Sequence, residues 1–212
     1  QMCIRDRCYN NNIVQGEVFD RGPFHIKILA PLSKYRNSIA EKISASLHNT
    51  GTANGADSVS LKELAAKPWK NGTLTKENRA SIAFELSTKE GEKVLLLGDA
   101  HIKDILNGLD CFYPNQEHPI KYKIIKLSHH GSKNNFCPAF IQKVHADIFL
   151  VSTNGDFFGH PDKEVIAQII CNTDSIIGFN YGERKDSLFT KQDFMDFPNL
   201  KERVFTTISC LE

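Results

Sequence analysis

Apolar and polar positions alternate in several short runs. "FHIKILA" (24–30) has the period of a half-buried strand, and "IVQGEVFD" before it, with the "DRGP" turn between, predicts a strand pair over 13–31. "SIAFELS", the turn "EGEK" and "KVLLLGD" predict a hairpin whose second strand is buried and ends at Gly98-Asp99. Further strands are expected in "YKIIKLS", "ADIFLVST" and "SIIGFNY", with an edge strand in "RVFTTISCL". Between them the period lengthens to that of a helix. "AHIKDILNGL" puts Ile102, Ile105, Leu106 and Leu109 on one face. "PAFIQKV" and "PDKEVIAQII" each carry proline at the start, the second with acidic residues in its first turn.

The section 32–76 reads differently. "SKYRNSIAEKISASL" has Ile39, Ile43 and Leu47 at helical spacing, and "HNTGTANGAD" is a polar loop. Ser60 and Glu63 form a capping box for a short helix that Pro68 stops. The section is expected to be a surface excursion of helix and loop. From 78 onward, strands and helices alternate, which predicts an α/β layered fold. The tail from 183 is polar with scattered phenylalanines.

Composition narrows the function classes. With 26 basic and 25 acidic residues the net charge is +1, so no whole-chain field for nucleic acid exists. The apolar runs are strand-sized, far short of the roughly 20 residues a membrane helix needs. Six cysteines, with no CxxC pair, fit reduced structural thiols and a cytoplasmic setting. Residues 1–9, "QMCIRDRCY", lack either period and are expected to be a non-native or disordered start, with 10–212 a piece of a larger domain.

Three strand ends carry groups with metal-ligand chemistry: Asp99 after "VLLLG", His129 and His130 after "IIKLS", and His160 in "GDFFGHP". Singly, each reads as a turn or capping residue. Together they are an Asp/His set brought to one edge of a sheet, where open α/β sheets put their sites. Zinc, manganese and iron accept these ligands, and a carboxylate that bridges two metals suits hydrolysis of phosphate esters. Gly98 and Gly131 permit close backbone approach. Ser132 and the amides after Gly131 are candidate donors to an anionic oxygen. "HHGS" does not make a serine-hydrolase elbow, because the serine is not in G-x-S-x-G.

The blocks "NRASIAFELSTKEGEKVLLLGDAH", "IIKLSHHGSKNN", "ADIFLVSTNGDFFGHPDKEVIAQI" and "IIGFNY" resemble the C-terminal half of metallo-β-lactamase-fold hydrolases, nearest to the branch with the hydrolase domain of ComEC competence proteins. The order N-x-x-S, L-L-x-G-D, K-x-x-H-H-G-S and S-x-x-G…G-H-P matches across 78–181. The resemblance implies part of an αββα sandwich with a divalent metal, zinc or manganese, at its rim. It implies Asp99 as the bridging carboxylate and His129 and His160 as ligands. His130 and Ser132 would face a small-molecule or nucleic-acid phosphoester, though the two adjacent histidines could exchange roles. Asn78 and Ser81 match the first block and read as a turn residue and a strand start.

The family's first metal motif, H-x-H-x-D-H, is not in this sequence. Hence the ligand set is expected to be partial and metal affinity weak. The chain alone is expected to turn over negligibly, and an apolar sheet face to favour self-association. The other reading is a non-catalytic binding or regulatory module of the same fold with a degenerate metal site.

Overall fold

The structure is a computed structural model that describes residues 13–40, 58–70, 72, 76–156 and 158–207. The elements are β1 (Val18–Arg21), β2 (Phe24–Ala30), α1 (Ser33–Ala40), α2 (Leu61–Ala66), α3 (Lys76–Arg79), β3 (Ala83–Thr88), β4 (Lys93–Leu96), α4 (Ile102–Phe112), β5 (Ile120–Lys126), α5 (Pro138–Lys143), β6 (Val144–Val151), α6 (Lys163–Asn172), β7 (Ile176–Phe179), α7 (Gly182–Leu188), α8 (Lys191–Asp196), α9 (Leu200–Arg203) and β8 (Val204–Thr206). Residues 1–9, the predicted continuation of α1 through Ile43 and Leu47, the loop 48–57 and the end of the last strand lie outside the described residues.

The strands form one mixed sheet in the order β1-β2-β3-β4-β5-β6-β7-β8. The first three pairings are antiparallel and the last four parallel. This is the α/β layering that the alternation predicts. Unbroken strand order with right-handed crossovers brings successive helices to one face of a sheet. Burial agrees with such one-sided layering. In one row across the strands, Glu85, Leu95, Ile125, Phe149 and Ile177 are in register and all have no exposed surface. The neighbouring row, Ile26, Leu86, Val94, Ile124 and Ile148, is only half-buried, and Ile176 at its end is exposed.

Strict alternation fails at one level of β5 and β6. Ile120 and Tyr122 are buried, then Ile125 and Leu127; Val144 and Ala146 are buried, then Phe149 and Val151. Both strands slip phase together, so their mutual register is kept, Tyr122 opposite Ala146 and Ile124 opposite Ile148. The slip lets both ends of each strand face the helices. At the lower end the buried carboxylate of Glu85 accepts hydrogen bonds from the Tyr113 and Tyr122 hydroxyls at 2.6 and 2.7 Å and meets Lys27 at 3.4 Å. Burial, followed by the Glu85 charge and hydrogen bond, raises the pKa of both phenols, so they stay protonated donors.

One expectation changes. The 32–76 section is not a mere surface excursion: Leu61 and Leu64 of α2 are buried in the main core. Helix α2 begins at the predicted Ser60 cap, whose hydroxyl accepts the Glu63 amide. The polar tail folds as three short helices, α7, α8 and α9, with Leu188 and Leu200 buried.

Candidate metal and phosphoester site

Strand ends β4, β5 and β6 meet at one rim. The turn after β4 is fixed first. The Asp99 amide donates to Ser81 Oγ at 2.9 Å, and the Gly98 carbonyl accepts the His129 amide at 2.8 Å. Thus Ser81 of the N-x-x-S block does more than start a strand: it holds the backbone of the candidate carboxylate.

Among the described residues, the "SHHG" turn (Ser128–Gly131) has three successive residues of positive φ. His129 and His130 both have left-handed backbone, with φ of 44° and 57°, and Gly131 follows at 89°. Side-chain residues rarely adopt this region even singly, and such strain persists only where the surroundings hold it. Here the Ser132 amide closes the turn onto the His129 carbonyl, and Ser128 Oγ donates to the Ala100 carbonyl. A Cβ on Gly131 would stand 2.7 Å from Pro161 Cβ, so the turn packs directly on the "GHP" loop. The two loops are zipped by the Asp162 amide to the Gly131 carbonyl and the Lys133 amide to Asp162 Oδ2, at 3.0 and 2.8 Å.

This framework sets the tautomers. His130 Nδ1 lies 2.8 Å from the Ser152 carbonyl, which can only accept, so Nδ1 carries the proton and Nε2 keeps its lone pair. His129 Nδ1 lies 3.2 Å from Asn135 Oδ1 and 3.3 Å from the Asn78 amide. Buried Asn135 donates its own NH2 to the Asp99 and Ala100 carbonyls, which fixes its Oδ1 toward His129. Where Nδ1 donates to Asn135, with the Asn78 side-chain amide turned to face it with oxygen, His129 also presents an unprotonated Nε2. Metal-ligating histidines are oriented by such partners on the other ring nitrogen.

His160 is held less completely. Its buried Nδ1 has no hydrogen-bond partner and stands 3.5 Å from Asp162 Oδ2, an ion-pair distance without hydrogen-bond geometry. Its ring centroid is 5.3 Å from that of His129, and exposed Phe158 stacks on its outer side at 6.0 Å. Asp99, His129, His130, Thr153, Asn154, Phe158 and His160 line one cavity of about 260 Å3.

Electrostatic effects act on three groups at the rim. Burial, then the nearby Lys126 charge, lowers the His130 pKa, favouring neutral imidazole. Burial by itself would raise the Asp162 carboxyl, but the contacts from His160 and the Lys133 amide outweigh it and hold the carboxyl below its usual range. Lys126, the lysine of K-x-x-H-H-G-S, is itself depressed by burial, with Asp99 opposing.

Of the five residues singled out from sequence, Asp99, His129, His130 and His160 come together. Ser132 does not join them: it is buried at 2% exposure and does not line the cavity. His101 caps α4, its Nδ1 accepting the Lys103 amide at 3.0 Å. Asn135, Asp162 and Ser152 were not singled out. The capping position of Asp162 before α6 was readable; the role of Asn135 depends on a turn that no local pattern announces. Among the described residues, no three His, Cys, Asp or Glu side chains are gathered closely enough to hold a metal ion. Carboxylate and imidazole are donor types that divalent metals accept.

Comparison with protein-family models, with curated proteins and with solved structures finds no match to this chain. Among the described residues no helix is long and apolar enough to cross a membrane.

Proposed function

We propose that this chain carries part of the site of a metal-dependent hydrolase of the metallo-β-lactamase fold, acting on phosphodiester or related ester bonds. The observation that carries the reading is the meeting of Asp99, His129, His130 and His160, from three separate strand ends, on one cavity. Asp99, His129 and His160, not gathered closely enough here to hold an ion by themselves, would contribute to a fuller ligand set for zinc or manganese. Such an ion would supply Lewis acidity to the ester oxygen and acidify water. His130 faces the substrate with a neutral imidazole whose Nε2 accepts a proton or hydrogen bond, its ring fixed by the Ser152 carbonyl. The half-buried Lys126, whose charge acts on both Asp99 and His130, would add positive charge near an anionic substrate. Ser132, enclosed in its turn, is left out of the chemistry.

The alternative, a binding or regulatory module with a degenerate site, is favoured by the open ligand set. Titration of the purified chain with Co2+ or Zn2+ separates the two. The hydrolase reading expects a weak site whose dissociation constant rises about tenfold or more in His129→Ala or His160→Ala. His145→Ala, which removes an imidazole outside this cavity, should leave it unchanged. No binding, or equal loss in all three variants, overturns the hydrolase reading. The chain alone should hydrolyse a chromogenic phosphodiester negligibly; turnover abolished by Asp99→Ala would show the site to be sufficient as it stands.

A further inference from the structure

The "GHP" loop is gripped from the side opposite the "SHHG" turn. Arg184, on α7, is 8% exposed. Its Nε donates to the His160 carbonyl at 3.0 Å, while Nη2 donates to the Gly159 carbonyl at 2.6 Å and the Pro161 carbonyl at 3.0 Å. Nη1 reaches Ser187 Oγ within its own helix, at 3.3 Å. One planar fork thus spans three successive carbonyls of the loop that carries His160. The loop is shaped to admit it. A Cβ at Gly155 would lie 2.8 Å from Arg184 Cδ and 3.1 Å from the His160 carbonyl, and Gly155 has a φ of +85°. The Gly155 carbonyl in turn accepts the Gly159 amide at 2.9 Å.

We propose that Arg184 is the positioning residue for His160. Its guanidinium fixes the pitch of the Gly159–Pro161 turn, and through it the place of the His160 ring relative to His129 and Asp99. His129 is set by a separate apparatus, Asn135 and the Gly98 carbonyl, neither of which touches Arg184. The His160 imidazole lacks a hydrogen bond at Nδ1, so its backbone has to supply the order that side-chain contacts supply for its two neighbours. Arginine suits this task and lysine does not: a rigid fork can satisfy three fixed acceptors, and a single ammonium cannot present that geometry. The cation also sits where a carbonyl cluster would otherwise be buried without donors, which keeps the loop closed against water. The inference rests on the proposed metal site for its consequence, but not for its geometry.

Two measurements test it on the chain as it stands, with Arg184→Met and Arg184→Lys. The first needs no metal. Amide hydrogen exchange at Gly159 is expected to accelerate about tenfold or more in Arg184→Met, with His129 unchanged. The second follows the ring-nitrogen resonances of the histidines by NMR during titration with Zn2+, a diamagnetic ion whose shift reports direct ligation. In the unaltered chain His129 and His160 should shift together. In Arg184→Met the His160 shift should be about tenfold smaller relative to that of His129, with Arg184→Lys between. Equal change at both histidines, or none, overturns the positioning role, since a general loss of stability would move both alike. Absence of a shift in the unaltered chain sinks the metal reading, while the exchange measurement still decides the clamp. If Arg184→Met fails to fold, Arg184→Lys carries the same comparison.

Discussion

Two imidazoles in consecutive left-handed positions share one backbone turn and diverge, with ring centroids 6.2 Å apart. Each is oriented from behind by a different acceptor, Asn135 for one and Ser152 for the other. Asn135→Ala should therefore weaken divalent-metal binding by about 10–100-fold, through loss of the partner that orients His129. Calorimetric titration beside a denaturation curve checks this; affinity equal to that of the unaltered chain would exclude an orienting role. Gly131→Ala meets both a positive φ and Pro161, so it should cost about 1–3 kcal/mol of stability. Urea denaturation measures it. At this scale the sequence exposed the four cavity-lining groups, because a small or polar residue after an apolar run marks a strand end. It hid Asn135 and Arg184, because their roles come from carbonyls brought near by the turn and by a helix 24 positions after His160.

Short elements were harder to read than long ones. Helices α7, α8 and α9 are too brief for a hydrophobic period to show, and they persist through tertiary contacts rather than propensity. One local signal was present: Thr190 and Asp193 form a capping box at α8. Asp193 does more than cap. It is fully buried, pairs with Lys163 Nζ at 2.7 Å and accepts the Leu61 amide at 2.6 Å, so it joins α2, α6 and α8. Arg203 likewise donates to the Ile170 carbonyl in the last turn of α6 and to the Thr173 and Ser175 carbonyls just past it. Charged residues of the polar tail are thus bound to backbone of the preceding elements. Asp193→Ala should cost about 3–5 kcal/mol, because it leaves Lys163 charged and buried. Burial opposes ionisation of Asp193, but the bonds from Lys163, Leu61 and Thr190 prevail and lower its folded pKa. The unfolded value is about 3.9. Its contribution is then complete above that pH and lost as pH falls through the lower folded value. Urea midpoints of the two proteins should accordingly differ most near neutrality and converge in acid; a gap that widens in acid would contradict the assignment.

The whole sheet is one-sided, and the registers show which side is which. Leu95 and Leu96 are neighbours on β4, yet Leu95 belongs to the fully buried row, while Leu96, opposite Phe84 and Lys126, shares the half-buried face with Val94. The sequence reading treats "KVLLLGD" as a continuously buried strand, because an unbroken apolar run carries no alternation that distinguishes its faces. Only the pairings of β3 and β5 assign them. Leu95→Ala should cost about 2–5 kcal/mol, as large-to-small changes in a closed core do. Leu96→Ala should cost about 1 kcal/mol, since part of its surface stays in water. Chemical denaturation of the two variants decides the matter: equal losses would mean that both faces are covered. The self-association expected from sequence attaches to the same half-buried row. Sedimentation velocity over a concentration series should show mass above the 23.9 kDa of one chain, and Ile124→Lys should return it toward that value. A mass of one chain at every concentration would mean that this face does not bind a second copy, whatever its polarity.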